Sequence, residues 1–422
     1  MHILVFSDQH PESSGGAQVS IRLQRRFLEA AGHTVTVCSP RMHQAHDDDP
    51  HYLDTPSIPI TLDREYSMTV PGRLTDRWLD ARLAELPPVD VVHVQADFWQ
   101  ALTAYRYAER HGIPALHTMH NRMDVGIEQT MPAPGLVVGA LSWWQRRVLR
   151  PRLSTLPTGV WSYLQEFAKR AAVVIAPSHH FARVLREQGV TAHAEVLSTG
   201  VDDAVLDEIL DERATTLHVP HRLPSFVWIG RFSQEKRLME FLEAVRLADV
   251  DAVFRLYGAG LLLAKAQAFV AEHDLADHVV FAGRVSYPDS LRAIADADAL
   301  VQTSIGFETQ GMTVFEAAAL GTPSIISDPN IAAELPADSM WQPTDGGVEA
   351  LADAIRRAVA DVEAGTAPVV APGLARTLRQ STQTTRLIAL YEAALAPRPR
   401  ASIGSCAGHR SSSPGRTAAN AS

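Results

Sequence analysis

Short β-branched runs alternate with amphipathic helical stretches along this chain, and the series occurs twice. In the first half the predicted strands are Ile3–Phe6, Thr34–Cys38, Val89–Val94, Ala115–Met119 and Val173–Ala176. In the second half they are Phe226–Ile229, Val253–Tyr257, Val279–Ala282, Ala299–Gln302 and Ser324–Ser327. Strands joined through helices run parallel, because each crossover returns the chain to the same end of the sheet. The expected fold class is therefore α/β, with two Rossmann-like, doubly wound domains in succession. The first helix is predicted from about Ala17 to Ala31, burying Ile21, Phe27 and Leu28 and stopping at Gly32, where glycine is favoured. A length of 422 residues with 46% hydrophobic content is enough for two cores. Two such sheets leave a cleft between them, into which the strand C-termini point their loops.

The expected boundaries are 1–200 and 201–380 for the two domains, 381–396 for a closing helix and 397–422 for a disordered tail. A linker is expected near 198–222. The tail is low in complexity, with four arginines and no acid. A net charge of −10 argues against chain-wide attraction to nucleic acid, and no nucleic-acid partner is expected. The two cysteines, Cys38 and Cys406, lack a metal-like spacing and do not make a disulfide framework. The N-terminus, MHILVFSDQH, lacks the pattern of a signal peptide, and no run of about 18 apolar residues occurs. A cytoplasmic location is the expectation.

Several loops at predicted strand ends carry chemistry. Ser13-Ser14-Gly15-Gly16-Ala17 opens the first helix; a glycine pair there lets backbone approach a ligand, although a plain βα turn reads the same way. It lacks GxGxxG spacing, so a dinucleotide fingerprint is not supported. Arg231 and Lys236 follow the first strand of the second half, where two cations suit a diphosphate. Tyr257-Gly258-Ala259-Gly260 would admit a flat group such as a nucleobase, or form a tight turn. His117 and His120 lie three apart on a strand and so face opposite ways, which disfavours a shared metal; His120 fits a cleft role and His117 a structural one. The run His46-Asp47-Asp48-Asp49-Pro50-His51 reads as a solvated acidic loop ahead of a metal site.

The stretch FETQGMTVFEAAA, residues 307–319, is the most informative. Glu308 falls in a cleft-facing loop, and Gly311 and Met312 start a helix whose first amides can receive an anion or sugar oxygens. Glu316 follows about one turn later among Phe315, Ala317, Ala318 and Ala319, where a plain surface role fits poorly. Two spaced carboxylates can accept hydroxyl hydrogens from two polyols, such as the sugar and the ribose at the ends of one diphosphate.

Taken together, these residues resemble the retaining glycosyltransferases of family 4, which have the GT-B fold. The resemblance covers about residues 1–396. Its most specific part is Glu308…Glu316 followed by the Ala-rich helix and Gly321-Thr322-Pro323, then the Gly230-Arg231…Lys236 loop. The resemblance implies a nucleotide-sugar donor, UDP- or GDP-linked. Arg231 and Lys236 would hold its diphosphate, Glu316 the ribose, and Glu308 with the amides of Gln310, Gly311 and Met312 the transferred hexose. Gly15 and Gly16 would close on the phosphates, and His120 would lie beside the anomeric carbon. It implies retention of configuration, no bound metal and no separate cofactor. The expected attack is on the same face, with a donor phosphate oxygen taking the acceptor proton.

One departure stands out. Many members carry Glu-x-Phe-Gly, whereas this chain has Glu308-Thr309-Gln310-Gly311, a variant resembling members that glycosylate diacylglycerol and related lipids. The acceptor is expected on the first domain. There LSWWQRRVLRPR, residues 141–152, puts Trp143, Trp144, Arg146 and Arg147 forward for peripheral contact with an anionic membrane at its inner face; an ordinary helix with a basic face is the competing reading. A lipid or lipid-linked glycan is the expected acceptor. A soluble acceptor, a nucleotide-sugar epimerase and a non-catalytic sugar-nucleotide binder are the alternatives. Base, hexose and linkage are not legible.

Overall fold

The computed structural model describes residues 1–13, 15–45, 49–130, 133–149, 159–215 and 223–396. The first half contains β1 (His2–Ser7), β2 (Thr34–Pro40), β3 (Tyr52–Thr55), β4 (Ser57–Pro59), β5 (Ser67–Thr69), β6 (Val91–Gln95), β7 (Ala115–Thr118), β8 (Val173–Ala176) and β9 (Glu195–Val196). Seven of these form one parallel sheet in the order β3-β2-β1-β6-β7-β8-β9, while β4 and β5 pair separately as an antiparallel hairpin. The second half contains β10 (Ser225–Ile229), β11 (Val253–Tyr257), β12 (Val279–Gly283), β13 (Ala299–Gln302), β14 (Ser324–Ile326) and β15 (Met340–Trp341), ordered β12-β11-β10-β13-β14-β15. Both are doubly wound sheets, as the alternation predicts.

Helices cover both faces of each sheet, so the central strands are buried throughout, as parallel strands require. All of β1 is buried; even His2 is satisfied there, with Nδ1 on Pro87 O at 2.7 Å and Nε2 on Thr36 Oγ1 at 3.0 Å. The strand order reverses between β1 and β6 in the first sheet and between β10 and β13 in the second. Loops leaving these four strands at their C-terminal ends converge on the cleft, where such folds bind ligands.

The chain crosses between the sheets twice, and the two crossings pair. Val201 N donates to Leu378 O and Gln380 N to Val201 O, each at 2.8 Å. A Cβ on Gly200 would lie 2.5 Å from Gln380 Cα, so only glycine fits this crossing. The helix Gln380–Leu395 then returns to the first sheet, where Leu387 and Tyr391 join the core of Ile3, Val5 and Val37.

Two expectations need correction. The predicted linker holds a helix, Asp203–Thr215, whose Leu206 and Ile209 enter the second-half core. Phe27 is only half-buried, because it sits at the rim of its helix under the Arg26 guanidinium, 5.0 Å from the ring centroid. The first helix spans Gly16–Ala30 and buries Leu23 and Gln24 instead. Ser14, His46, Asp47, Asp48, residues 150–152 and 216–222, and the tail with Cys406 lie outside the described residues. Cys38 is a buried free thiol.

Candidate active site

A cavity of about 450 Å³ lies between the two sheets and gathers most of the predicted residues: Gly15, Gly16, His120, Arg231, Lys236, Glu308, Gln310, Gly311, Met312 and Glu316. Two helix N-termini meet across it. The helix Gly16–Ala30 starts from the first sheet and the helix Met312–Leu320 from the second, and neither has a side-chain cap. Their leading amides have no acceptor within the helix and carry partial positive charge. A Cβ on Gly16 would lie 3.2 Å from Met312 Sδ, so the glycine allows this approach. Gly311 holds φ at +75° and turns the chain into its helix.

Lys236 ends a short 3₁₀ turn, Gln234–Lys236, after β10. Its Nζ bonds Glu308 Oε1, and Ser304 Oγ donates to the same oxygen at 2.8 Å. Burial works against charge on Glu308, yet the Lys236 ammonium, the Ser304 bond and Arg231 hold its carboxyl below the usual range. Arg231 is mostly solvent-facing, 3.9 Å from Glu235. The cavity wall thus has one solvent-facing cation and one pinned by a carboxylate.

Glu316 differs. It is only 6% exposed, and no protein group among the described residues hydrogen-bonds its carboxylate. Burial alone pushes its pKa up to about 7. A buried carboxylate left without a partner costs stability, which is the usual mark of a group reserved for a ligand.

His120 is half-buried at the cavity edge, with Nε2 3.0 Å from Gln95 Oε1. Burial drives its pKa down to about 4, so the ring is neutral at pH 7 and serves as a hydrogen-bonding group. His117 is a core residue, as the strand alternation predicts: its ring bonds Tyr105 Oη at 3.0 Å and Ala96 O at 2.9 Å. Asp49, from the acidic run, is tied to Arg25 at 2.6 and 3.1 Å. Among the described residues no cluster of three or more His, Cys, Asp or Glu could hold a metal ion.

Gly258 is placed differently from the expectation. It does not line the cavity; a Cβ there would meet Gly230 O at 1.9 Å, with φ at +145°. It packs the β11 loop under the Gly230 turn and so supports Arg231 from behind.

The four predicted membrane contacts separate by exposure on the helix Pro134–Leu149. Trp143 (62% exposed) and Arg147 face solvent one turn apart. Trp144 instead packs on the first-domain core, and Arg146 folds back, its Nε donating to Ser142 O at 3.2 Å. A second groove, separate from the cleft, runs between Trp143, Trp144 and Arg147 on one side and Gly72 and Arg73 on the other. Leu74 beside it is exposed. No helix among the described residues is long and apolar enough to cross a membrane.

Sequence reasoning reached Pro177-Ser178 only as one of the segments that follow the family's order, and it missed His180 and Glu334; the three bond the Glu308 loop and each other across the cleft. Their partners lie more than 120 residues away in sequence, and no local pattern marks them.

The Glycosyltransferase Family 4 profile matches residues 14–205, and the Glycosyl transferases group 1 profile matches 215–366. The chain is similar to the alpha-monoglucosyldiacylglycerol synthase of Streptococcus pneumoniae, at 24% identity over 369 residues, covering 85% of this chain and 78% of that one. It is also similar to the lipopolysaccharide 1,6-galactosyltransferase of Escherichia coli K12, at 25% identity over 183 residues, 41% of this chain and 49% of that one. Among solved structures, HepE of Anabaena in complex with UDP superposes with a TM-score of 0.64 at 14% identity, over 93% of this chain and 100% of that one. Sucrose-phosphate synthase of Thermosynechococcus elongatus gives 0.62 at 19% identity, over 94% and 96%. The two profiles span both sheets and these neighbours share their arrangement, so the chain belongs to glycosyltransferase family 4 and has the GT-B fold.

Proposed function

We propose that the protein transfers a hexose from a nucleoside diphosphate sugar to a hydroxyl of a membrane lipid or lipid-linked glycan, with retention of anomeric configuration. The observation that carries the donor assignment is Glu316: a buried, unpartnered carboxylate in the same cavity as Arg231, Lys236 and two helix N-termini. Ribose hydroxyls suit the carboxylate, and a diphosphate suits the cations and amides.

As the glycosidic bond breaks, negative charge grows on the diphosphate and positive charge on the sugar. Arg231, Lys236 and the amides of Gly16 and Met312 face the first of these. They supply the neutralisation a divalent cation would otherwise give, so the reaction needs neither metal nor separate cofactor. The cavity wall offers two carboxylates, Glu308 and Glu316. Glu308 is held by Lys236 and Ser304, and Glu316 belongs to the ribose end. Neither serves as a nucleophile, so the acceptor attacks the face the diphosphate leaves, and a donor phosphate oxygen takes its proton. Neutral His120 stands at the cavity edge beside the sugar as a hydrogen-bond partner. A glycosyl group trapped covalently on Glu308 or any other side chain would contradict this route.

Two features support a lipid acceptor. The relatives from Streptococcus pneumoniae and Escherichia coli are named as a monoglucosyldiacylglycerol synthase and a lipopolysaccharide galactosyltransferase. The solvent face of the first domain carries Trp143, Arg147, Arg73 and Leu74 around one groove, a mixture suited to an anionic membrane surface. The test is transfer of labelled hexose from UDP- and GDP-sugars into diacylglycerol vesicles, compared with soluble sugar acceptors. Product confined to the soluble acceptors would overturn the lipid assignment.

A further inference from the structure

The loop that carries Glu308 belongs to the second sheet by chain order, yet the first domain grips its backbone. Glu308 O faces His180 Nε2 at 3.0 Å; a carbonyl only accepts, so this nitrogen carries the proton. Ser178 Oγ donates to Thr309 O, and Thr309 Oγ1 donates to His120 O at 3.0 Å. The Gln310 side chain pairs with the Thr199 backbone in both directions, at 2.9 Å each. Three successive loop residues are thus fixed from across the cleft. All of His180, Ser178 and Gln310 are at most 4% exposed.

The grip is itself anchored. Ser178 caps the helix His179–Glu187, accepting from Phe181 N at 3.2 Å. Glu334, from the second domain, sits on the same helix end, 2.7 Å from His180 N and 3.2 Å from His179 N. Thr199 is joined through Ser20, Gln24 and Gln95 to the His120 ring by hydrogen bonds of 2.9 to 3.0 Å. The loop itself lies between Gly306 and Gly311, both with φ above +70°, a conformation that favours glycine.

We propose that His180 is a positioning residue: with Ser178 and Thr199 it clamps the 308–310 loop and so sets where the Glu308 carboxylate meets the donor sugar. Approach of the two domains and completion of the donor site are then one event, and each favours the other. Gln310 acts through its side chain on the crossing at Thr199 and offers the donor only its backbone. The inference rests on the donor reading of Glu308 given above.

The test compares His180→Leu, which removes the N–H, with His180→Gln, whose amide can reach the same carbonyl. Amide hydrogen exchange of residues 308–311 is read in the protein alone, and donor turnover and nucleoside diphosphate affinity are read alongside. The clamp predicts exchange at least about tenfold faster in His180→Leu, kcat lower by roughly 10- to 100-fold, and diphosphate affinity within about threefold of wild type. His180→Gln restores most of both. Thr309→Val, at a half-buried site, gives a smaller loss in the same direction and serves if His180→Leu does not fold. Unchanged exchange, or faster exchange with wild-type kcat, overturns the proposal, as does His180→Gln failing as badly as His180→Leu. Failure of the donor reading is separate: the wild type would then bind no nucleoside diphosphate sugar whatever the exchange shows.

Discussion

The two walls of the cleft are built differently. The second-domain wall gathers its chemistry within short loops: Arg231 and Lys236 five residues apart, Glu308 and Glu316 eight apart. The first-domain wall offers scattered groups from four strand ends and a broad outer face with Trp143, Arg147 and Arg73. In the proposed reading, a diphosphate and a ribose have fixed spacing and charge, so the groups that would hold them sit at fixed spacing in sequence. An acceptor surface that meets a lipid needs area and charge more than spacing, and it leaves a diffuse signature.

If this contrast is right, single changes on the donor wall should cost far more than changes on the outer face. Lys236→Ala removes the ammonium that holds Glu308 and that we propose faces the diphosphate; turnover should fall by on the order of 10²–10³-fold. An equal fall from the Trp143→Ala, Arg147→Ala pair would break the comparison.

Glu316→Gln sharpens it through pH. The folded chain holds the Glu316 proton to about pH 7, above its ordinary value of 4.5. Stability tied to that proton is fully present below about pH 4.5 and is lost as pH rises through about 7. Wild type should therefore lose up to about 3 kcal/mol relative to Glu316→Gln between those limits, measured by denaturant unfolding without donor. Parallel stability curves for the two proteins would refute the buried, unpartnered state of this carboxylate.

Gly258→Ala separates support from contact. Its Cβ would collide with Gly230 O, so unfolding stability should drop by about 1–3 kcal/mol while the preferred nucleotide stays the same. The smallest effect is expected from the outer face: Trp143→Ala with Arg147→Ala should weaken binding to anionic vesicles by about tenfold, near 1 kcal/mol per basic residue, and leave donor binding intact. Vesicle flotation checks this.

Much of the fold was legible because parallel sheets write themselves as apolar runs. β8, β11 and β13 lie where the runs predict them. The two-residue strands β9 and β15 and the β4–β5 hairpin are too short or too exposed to leave such a run. The helix Asp203–Thr215 was readable from Leu206 and Ile209 but was masked by its six charges. On the donor wall, Glu316 betrayed itself as a charge in an apolar stretch. Gln310 was visible as a departure, yet its pairing with Thr199 was not, because a pairing across 111 residues has no local signature. His180 and Glu334 were hidden for the same reason, and Gly258 was misread because a glycine needed for close packing looks like one needed for a ligand.

Calorimetric titration of the wild type, Glu316→Gln and Lys236→Ala with a panel of UDP- and GDP-hexoses tests the central claim most directly. The account predicts that one nucleoside diphosphate sugar binds the wild type and that each substitution weakens it by at least about tenfold, the worth of one charge-assisted contact. Wild type that binds none of them at millimolar concentration, or substituted proteins that bind as well as wild type, would contradict it.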